Sequence, residues 1–157
     1  MGTYALGLMK LKKKTLQQLN IMQNNMIRFT LGIPFKTHFK TLLKCLNVMD
    51  METVYMINKC TSIKLLHRNE TSKALLLSNK DNVNWWFYKE LNEICELVNM
   101  SRSFICEYPD RVRELLIDRY FEMNEEELEL AHKIEVLFEE FTFKSKKKLV
   151  DLIRLEF

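Results

Sequence analysis

The chain has 157 residues, of which 47% are hydrophobic and 29% are charged, with only three glycines and two prolines. This length and composition fit one folded helical domain and exclude a disordered, collagen-like or turn-rich chain. The formal net charge of +3 conceals an uneven distribution of charge along the chain.

The first 49 residues contain eight lysines and arginines but neither aspartate nor glutamate. The remainder of the chain therefore carries a formal charge of −5. This asymmetry suggests a part that faces a polyanion joined to a solvated acidic part, although the two parts could instead attract each other within one fold. We divide the sequence into a basic helical part, residues 1–68, and an acidic helical part, residues 69–157, in the same domain or closely packed.

Three helices are predicted in the basic part. The first covers about residues 13–31 and ends at Gly32, because glycine tolerates the left-handed conformation that closes many helices. Thr37 is suited to cap a short second helix, and Asp50 a third helix that ends near Arg68. The apolar residues of the first helix recur at three- and four-residue steps and form one stripe: Leu16, Leu19, Met22, Met26 and Ile27.

The acidic part begins with polar breaks at residues 69–72 and 78–84, which predict a flexible connection around a short apolar turn. One helix is predicted to open at Trp85 and another at Pro109, since proline is favoured in the first turn. The sequence as a whole is predicted to be all-α, a single irregular bundle of about seven helices.

The last two predicted helices follow Asn124. This residue and Glu127 have the spacing of a capping box, which accounts for the acidic cluster around them as helix chemistry. A final amphipathic segment covers residues 145–155. It is suited to dock on the core or to face a partner.

Catalytic and metal-binding motifs are missing from the sequence. It has no nucleophile and base at a known spacing, no glycine-rich phosphate loop and no pair of adjacent aspartates, so we predict no enzyme and no cofactor. The four cysteines form no Cys-x-x-Cys pair, which predicts no metal site and reduced thiols in an intracellular compartment, cytoplasmic or nuclear. No segment is long and apolar enough to predict a membrane role.

The basic side chains of residues 1–49 are the candidates for contact with an RNA or DNA backbone. Lysine and arginine neutralise phosphates without reading base sequence, so such binding is non-specific and sensitive to salt. The predicted phosphate-binding residues are Lys12, Lys13, Lys14, Arg28, Lys36, Lys40 and Lys44.

The aromatic trio Trp85, Trp86 and Phe87 has several interpretations. Aromatic rings can stack on nucleic-acid bases, but such a trio is more often part of a core or of a surface for a protein partner. The alternative function is therefore a protein-interaction module that uses this trio or the C-terminal amphipathic segment.

One stretch of the basic part has a recognisable order of features: Tyr4, Ala5 and Leu6, then a lysine run, then LQQLNIMQNNMIRFTLGIPFKTH, then LLKCLNVMDMETVYMINKCTSIKLLHR. The positions that define it are Leu19, Met22, Gln23, Met26, Arg28, Leu31, Gly32, Ile33 and Pro34. This order resembles the region that follows the fingers and palm in the reverse transcriptases of non-LTR retrotransposons. The resemblance covers residues 4 to about 68, under half of the chain. It implies a thumb-like helical part, separated from its catalytic domain, that helps to hold a template–primer duplex.

Overall fold

The computed structural model describes residues 6–32, 39–78 and 85–139. Every regular element in these ranges is helical, which confirms the all-α prediction. Within the same ranges, a 3-10 turn at Leu6–Leu8 precedes eight α-helices, whereas about seven were expected for the whole chain. They are α1 Lys13–Leu31, α2 Phe39–Cys45, α3 Met51–Arg68, α4 Glu70–Ser78, α5 Trp86–Val98, α6 Arg102–Glu107, α7 Pro109–Phe121 and α8 Glu125–Glu139.

The boundaries of α1 and α3 agree with the sequence prediction. The N–H of Gly32, a residue with φ of 71°, donates to the carbonyl of Arg28 at 2.7 Å and closes α1. Glycine adopts this left-handed conformation without steric cost. α3 begins directly after Asp50 and ends at Arg68. The predicted cap Thr37 and the predicted segment 145–155 lie outside the described residues.

The flexible connection predicted after residue 68 is wrong over its first part. Residues Glu70–Ser78 form α4, and the side-chain oxygen of Asn69 accepts a hydrogen bond from the N–H of Ser72 at 3.1 Å. This contact satisfies one of the unpaired donors at the helix start. The remainder of the predicted connection, residues 79–84, lies outside the described residues.

The short helix α6 was not predicted either. Its N-cap is Ser101, whose hydroxyl oxygen accepts from the N–H of Phe104 at 3.3 Å. A serine three residues before its backbone donor is a local signal of a helix start. α7 follows at once, beginning at Pro109 as expected.

The chain divides into two compact units, each assembled from two separate stretches. Unit 1 comprises Met1–Lys13 and Glu52–Arg119. Its core includes Cys60 and Ile63 of α3, Leu91 and Ile94 of α5, Ile105 of α6 and Val112 of α7.

The turn Leu6–Leu8 packs closely on α3 within unit 1. A Cβ atom at Gly7 would collide with the carbonyl oxygen of Asn58 and the hydroxyl of Ser62. Only glycine therefore allows this approach.

Unit 2 comprises Lys14–Met51 and Tyr120–Phe157. In it α2 packs on α8. The buried residues at this contact are Leu42, Leu43 and Ile134, and Ile27 and Leu31 of α1 pack against them.

Two amide side chains fix the orientation of α1 in unit 2. The side-chain oxygen of Asn20 accepts from the N–H of Met51 at 2.7 Å, and Nε2 of Gln23 donates to the carbonyl of Met49 at 2.9 Å. With these amides facing inward, Met22 and Met26 are exposed. The predicted apolar stripe is therefore divided between the core side and the outside of the helix.

No helix among the described residues combines the length and the apolar character that are required to cross a bilayer.

Candidate nucleic-acid interface

The structure describes every predicted phosphate-binding residue except Lys36. Lys12, Lys13, Lys14 and Lys40 are exposed. Arg28 and Lys44 are partly buried. The six described residues therefore differ in their access to a ligand.

Lys12, Lys13 and Lys14 are consecutive at the start of α1 and form what we call the lysine run. The first turn of α1 contains no acidic residue, and no described carboxylate lies within ion-pair distance of these lysines. The N-terminus of a helix carries a partial positive charge, so cations there are unfavourable for helix stability. The lysine run adds to that charge and produces a concentrated positive potential, which attracts anions.

Lys44, by contrast, is neutralised within unit 2. Its Nζ donates to the carbonyl of Glu122 at 2.7 Å and lies 3.7 Å from Oε2 of Glu127. The hydroxyl of Thr41 donates to the other carboxylate oxygen of Glu127 at 3.2 Å. The sequence leaves open whether basic and acidic residues attract each other within the fold. They do so at Lys44, whereas no carboxylate in the described part of the chain pairs with the lysine run.

The acidic cluster at the start of α8 has the predicted capping function. The N–H of Glu127 donates to the side-chain oxygen of Asn124 at 2.8 Å, and the N–H of Asn124 donates to Oε2 of Glu127 at 3.2 Å. This reciprocal pair is a capping box. Glu127 therefore both starts α8 and pairs with α2.

The aromatic trio belongs to the interior of unit 1. Phe87 is buried in the core, and Trp85 and Trp86 are half-buried against the same cluster. The ring centroid of Phe87 lies 5.3 Å from that of Trp85 and 5.7 Å from that of Trp86, within the range of favourable aromatic pairs. The described contacts of the trio are thus those of core packing.

Sequence reasoning missed a buried charged cluster around Lys59, a fully buried residue of α3. Its Nζ contacts the carboxylate of Glu90 and donates to the hydroxyl of Tyr55 at 3.0 Å. The Tyr55 oxygen also lies 2.9 Å from Oε2 of Glu90 and 2.8 Å from the carbonyl of Met9, and accepts from the N–H of Leu11 at 3.4 Å. The cluster therefore links α3, α5 and the segment that precedes α1.

Three aromatic rings surround the Lys59 ammonium group. Its Nζ lies 4.8 Å from the ring centroid of Tyr55, 4.6 Å from that of Trp86 and 5.3 Å from that of Phe87. Rings at these distances attract a cation. Burial nevertheless lowers the pKa of Lys59 to about 8, against the opposing effect of the Glu93 carboxylate. Since the side chain does not reach solvent, we assign this cluster a structural role.

The cysteines show no sign of activation. All four are free, and burial raises the pKa of Cys60 to about 12 and also raises those of Cys45, Cys95 and Cys106. A thiolate, which is the nucleophile and the metal ligand, is thereby disfavoured. Within the described ranges, no three His, Cys, Asp or Glu residues are grouped so as to hold a metal ion.

No protein-family model, curated protein or solved structure matches the chain. The functional interpretation therefore depends on the residues of the chain itself.

Proposed function

We propose that the chain is a non-catalytic nucleic-acid-binding helical domain that contacts the phosphate backbone of RNA or DNA without reading its sequence. The observation that carries the proposal is the exposed lysine run at the start of α1, which no described carboxylate neutralises. Its charges oppose the dipole of the helix, so they add nothing to the stability of α1. They are placed where they attract a polyanion, and Lys40 of α2 provides a further exposed cation.

The proposal includes descent from the thumb region of a non-LTR retrotransposon reverse transcriptase, without its catalytic domain. The end of α1 at Gly32 and the inward-facing Gln23 support it, because both positions belong to the pattern that carries the resemblance. A template–primer duplex is the ligand that this descent implies. We also propose an intracellular location, for which the four free cysteines are the support.

A fluorescence-anisotropy titration of the purified chain with a labelled RNA–DNA hybrid tests the proposal. The affinity should fall steeply as the salt concentration rises, because binding displaces counterions from the phosphates. Replacing Lys12, Lys13 and Lys14 with alanine should lower the slope of log affinity against log salt by about 2 to 3.

A matched control removes the same charge elsewhere. Lys73, Lys89 and Arg113 are exposed residues of unit 1 that form no described ion pair, and their triple alanine variant should keep most of the affinity. An equal loss in both variants would show that net charge, not the lysine run, determines binding. A folded wild-type chain that does not bind, or that binds independently of salt, would refute the proposed function.

A further inference from the structure

The outward side of α1 carries four exposed apolar side chains. Ile21 is 57% exposed, Met22 60%, Met26 69% and Phe29 91%. All four fall within one side of the helix, which we call the α1 outer face. Single exposed apolar residues are ordinary, but a contiguous group of them marks an interaction surface.

The charges that α1 itself carries all have one sign. α1 contains no acidic residue, and the exposed Lys14 lies seven positions before Ile21, two helical turns away on the same side. The exposed residues between them, Gln17 and Gln18, are neutral. A partner for this face should therefore combine apolar side chains with negative charge.

α8 presents a surface of that chemistry in the same unit. Leu128 is 56% exposed and Val136 41%, and both are on the side of α8 away from the buried Ile134. Glu125, His132 and Glu135 are exposed on the same side. We call these five residues the α8 outer face.

The two faces also match in length. Ile21 and Phe29 are eight positions apart, as are Leu128 and Val136, and each pair therefore spans about 12 Å along its helix. We propose that the α1 outer face of one copy of this chain binds the α8 outer face of a second copy. The apolar residues are buried against each other, and the carboxylates of α8 lie near the cationic side of α1.

The area of a stable interface favours a reciprocal arrangement. A specific dimer buries roughly 800 Å² on each partner, so two helix contacts per dimer favour a stable interface over one. In a two-fold symmetric dimer the contact between α1 and α8 occurs twice, so both faces of each copy contribute. This self-association goes beyond the proposed nucleic-acid binding. It depends on a different set of apolar residues and shares only Lys14 with the lysine run.

Sedimentation velocity of the full chain over a wide concentration range tests the proposal. The wild type should associate reversibly, and more weakly at high salt. A Met26→Glu, Phe29→Glu variant alters the α1 outer face, and a Leu128→Lys, Val136→Lys variant alters the α8 outer face. Each should weaken self-association by about tenfold or more, since buried apolar and aromatic residues dominate such interfaces. The control Leu75→Glu, at an exposed site on α4 in unit 1, should leave it unchanged.

Mixing the two face variants distinguishes this interface from others. Each variant alone has lost both contacts, but a mixed pair retains one intact contact, so the mixture should associate more strongly than either variant by itself. A strictly monomeric wild type, an α8 variant that still associates, or a mixture without recovery would overturn the proposal. The proposal would also be overturned if the wild type is monomeric and the α1 variant loses affinity for the RNA–DNA hybrid. That result would assign the α1 outer face to nucleic-acid binding. Circular dichroism of each variant verifies that it is folded.

Discussion

The chain places positive charge in two opposite settings. The lysine run at the start of α1 is exposed and has no described carboxylate partner, whereas Lys59 in unit 1 is fully buried against Glu90 and three aromatic rings. A solvated charge costs little to keep and is free to meet a ligand, but a buried charge must be compensated by its neighbours. The comparison separates charge that is accessible to a ligand from charge that is part of the packed interior.

The largest expected effect on stability comes from breaking the buried ion pair between Lys59 and Glu90. Glu90→Gln should lower the free energy of unfolding by about 3 to 5 kcal/mol, because it leaves the Lys59 ammonium group buried without its counter-charge. Urea unfolding measures the change. Replacing both partners, as Lys59→Met with Glu90→Leu, should recover most of the stability. Failure to recover would show that the loss does not come from an unpaired buried charge.

A second test of the buried charge uses pH. The pKa of Lys59 is lowered from 10.5 to about 8, so between these values the unfolded chain holds a proton that the folded chain has released. The contribution of Lys59 to stability should therefore rise with pH across that window, by about 1.4 kcal/mol per pH unit. The raised pKa of Cys60 has the opposite effect on the slope. Both the wild type and the Lys59→Met, Glu90→Leu variant contain Cys60, so the difference between their unfolding free energies isolates the contribution of Lys59. A difference that is constant from pH 8 to 10.5 would contradict it.

A substitution at the acidic start of α8 should have an intermediate effect on stability. Glu127→Ala removes half of the capping box and the partner of Lys44 and Thr41, and should cost about 1 to 2 kcal/mol. Glu126→Ala is the matched control, because the same helix turn loses one carboxylate without losing a cap. Equal midpoints of thermal unfolding for the two variants would show that the described contacts of Glu127 contribute nothing.

The smallest expected change in stability is at the lysine run, where affinity and stability should move in opposite directions. Lys13→Glu and Lys14→Glu should each stabilise α1 by about 0.3 to 1 kcal/mol, because they place negative charge at the helix N-terminus. The variant that combines both substitutions should lose affinity for the RNA–DNA hybrid on the order of 100-fold at low salt. Urea midpoints and anisotropy titrations measure both, and a double variant that is less stable than the wild type would contradict the dipole argument.

Local features were predictable from the sequence. The end of α1 at Gly32, the start of α3 after Asp50 and the capping box of Asn124 and Glu127 each depend on residues within one helical turn of each other. The spacing alone therefore specifies the geometry. The caps of α4 and α6, Asn69 and Ser101, are signals of the same kind that the polar composition around them obscured.

Features that depend on distant residues were not predictable. Asn20 and Gln23 turn inward because they satisfy backbone groups of residues 49 and 51, and this rotation exposes two methionines of the predicted stripe. Tyr55 meets Glu90 across 35 positions of sequence, so nothing near Lys59 indicates that it is buried. For the candidate site, phosphate binding by the lysine run stays a prediction, and the sequence did not reveal that Lys44 is paired.

The hydroxyl of Tyr55 has a consequence for the segment that leads into α1. It contacts the backbone of Met9 and Leu11, directly before Lys12. Gly7 in addition allows the preceding turn to pack closely on α3. The lysine run is thus attached to an anchored backbone and does not extend from a loose tail. In the proposed complex, a polyanion would meet charges that are already positioned, so little conformational entropy of the chain would be lost on association.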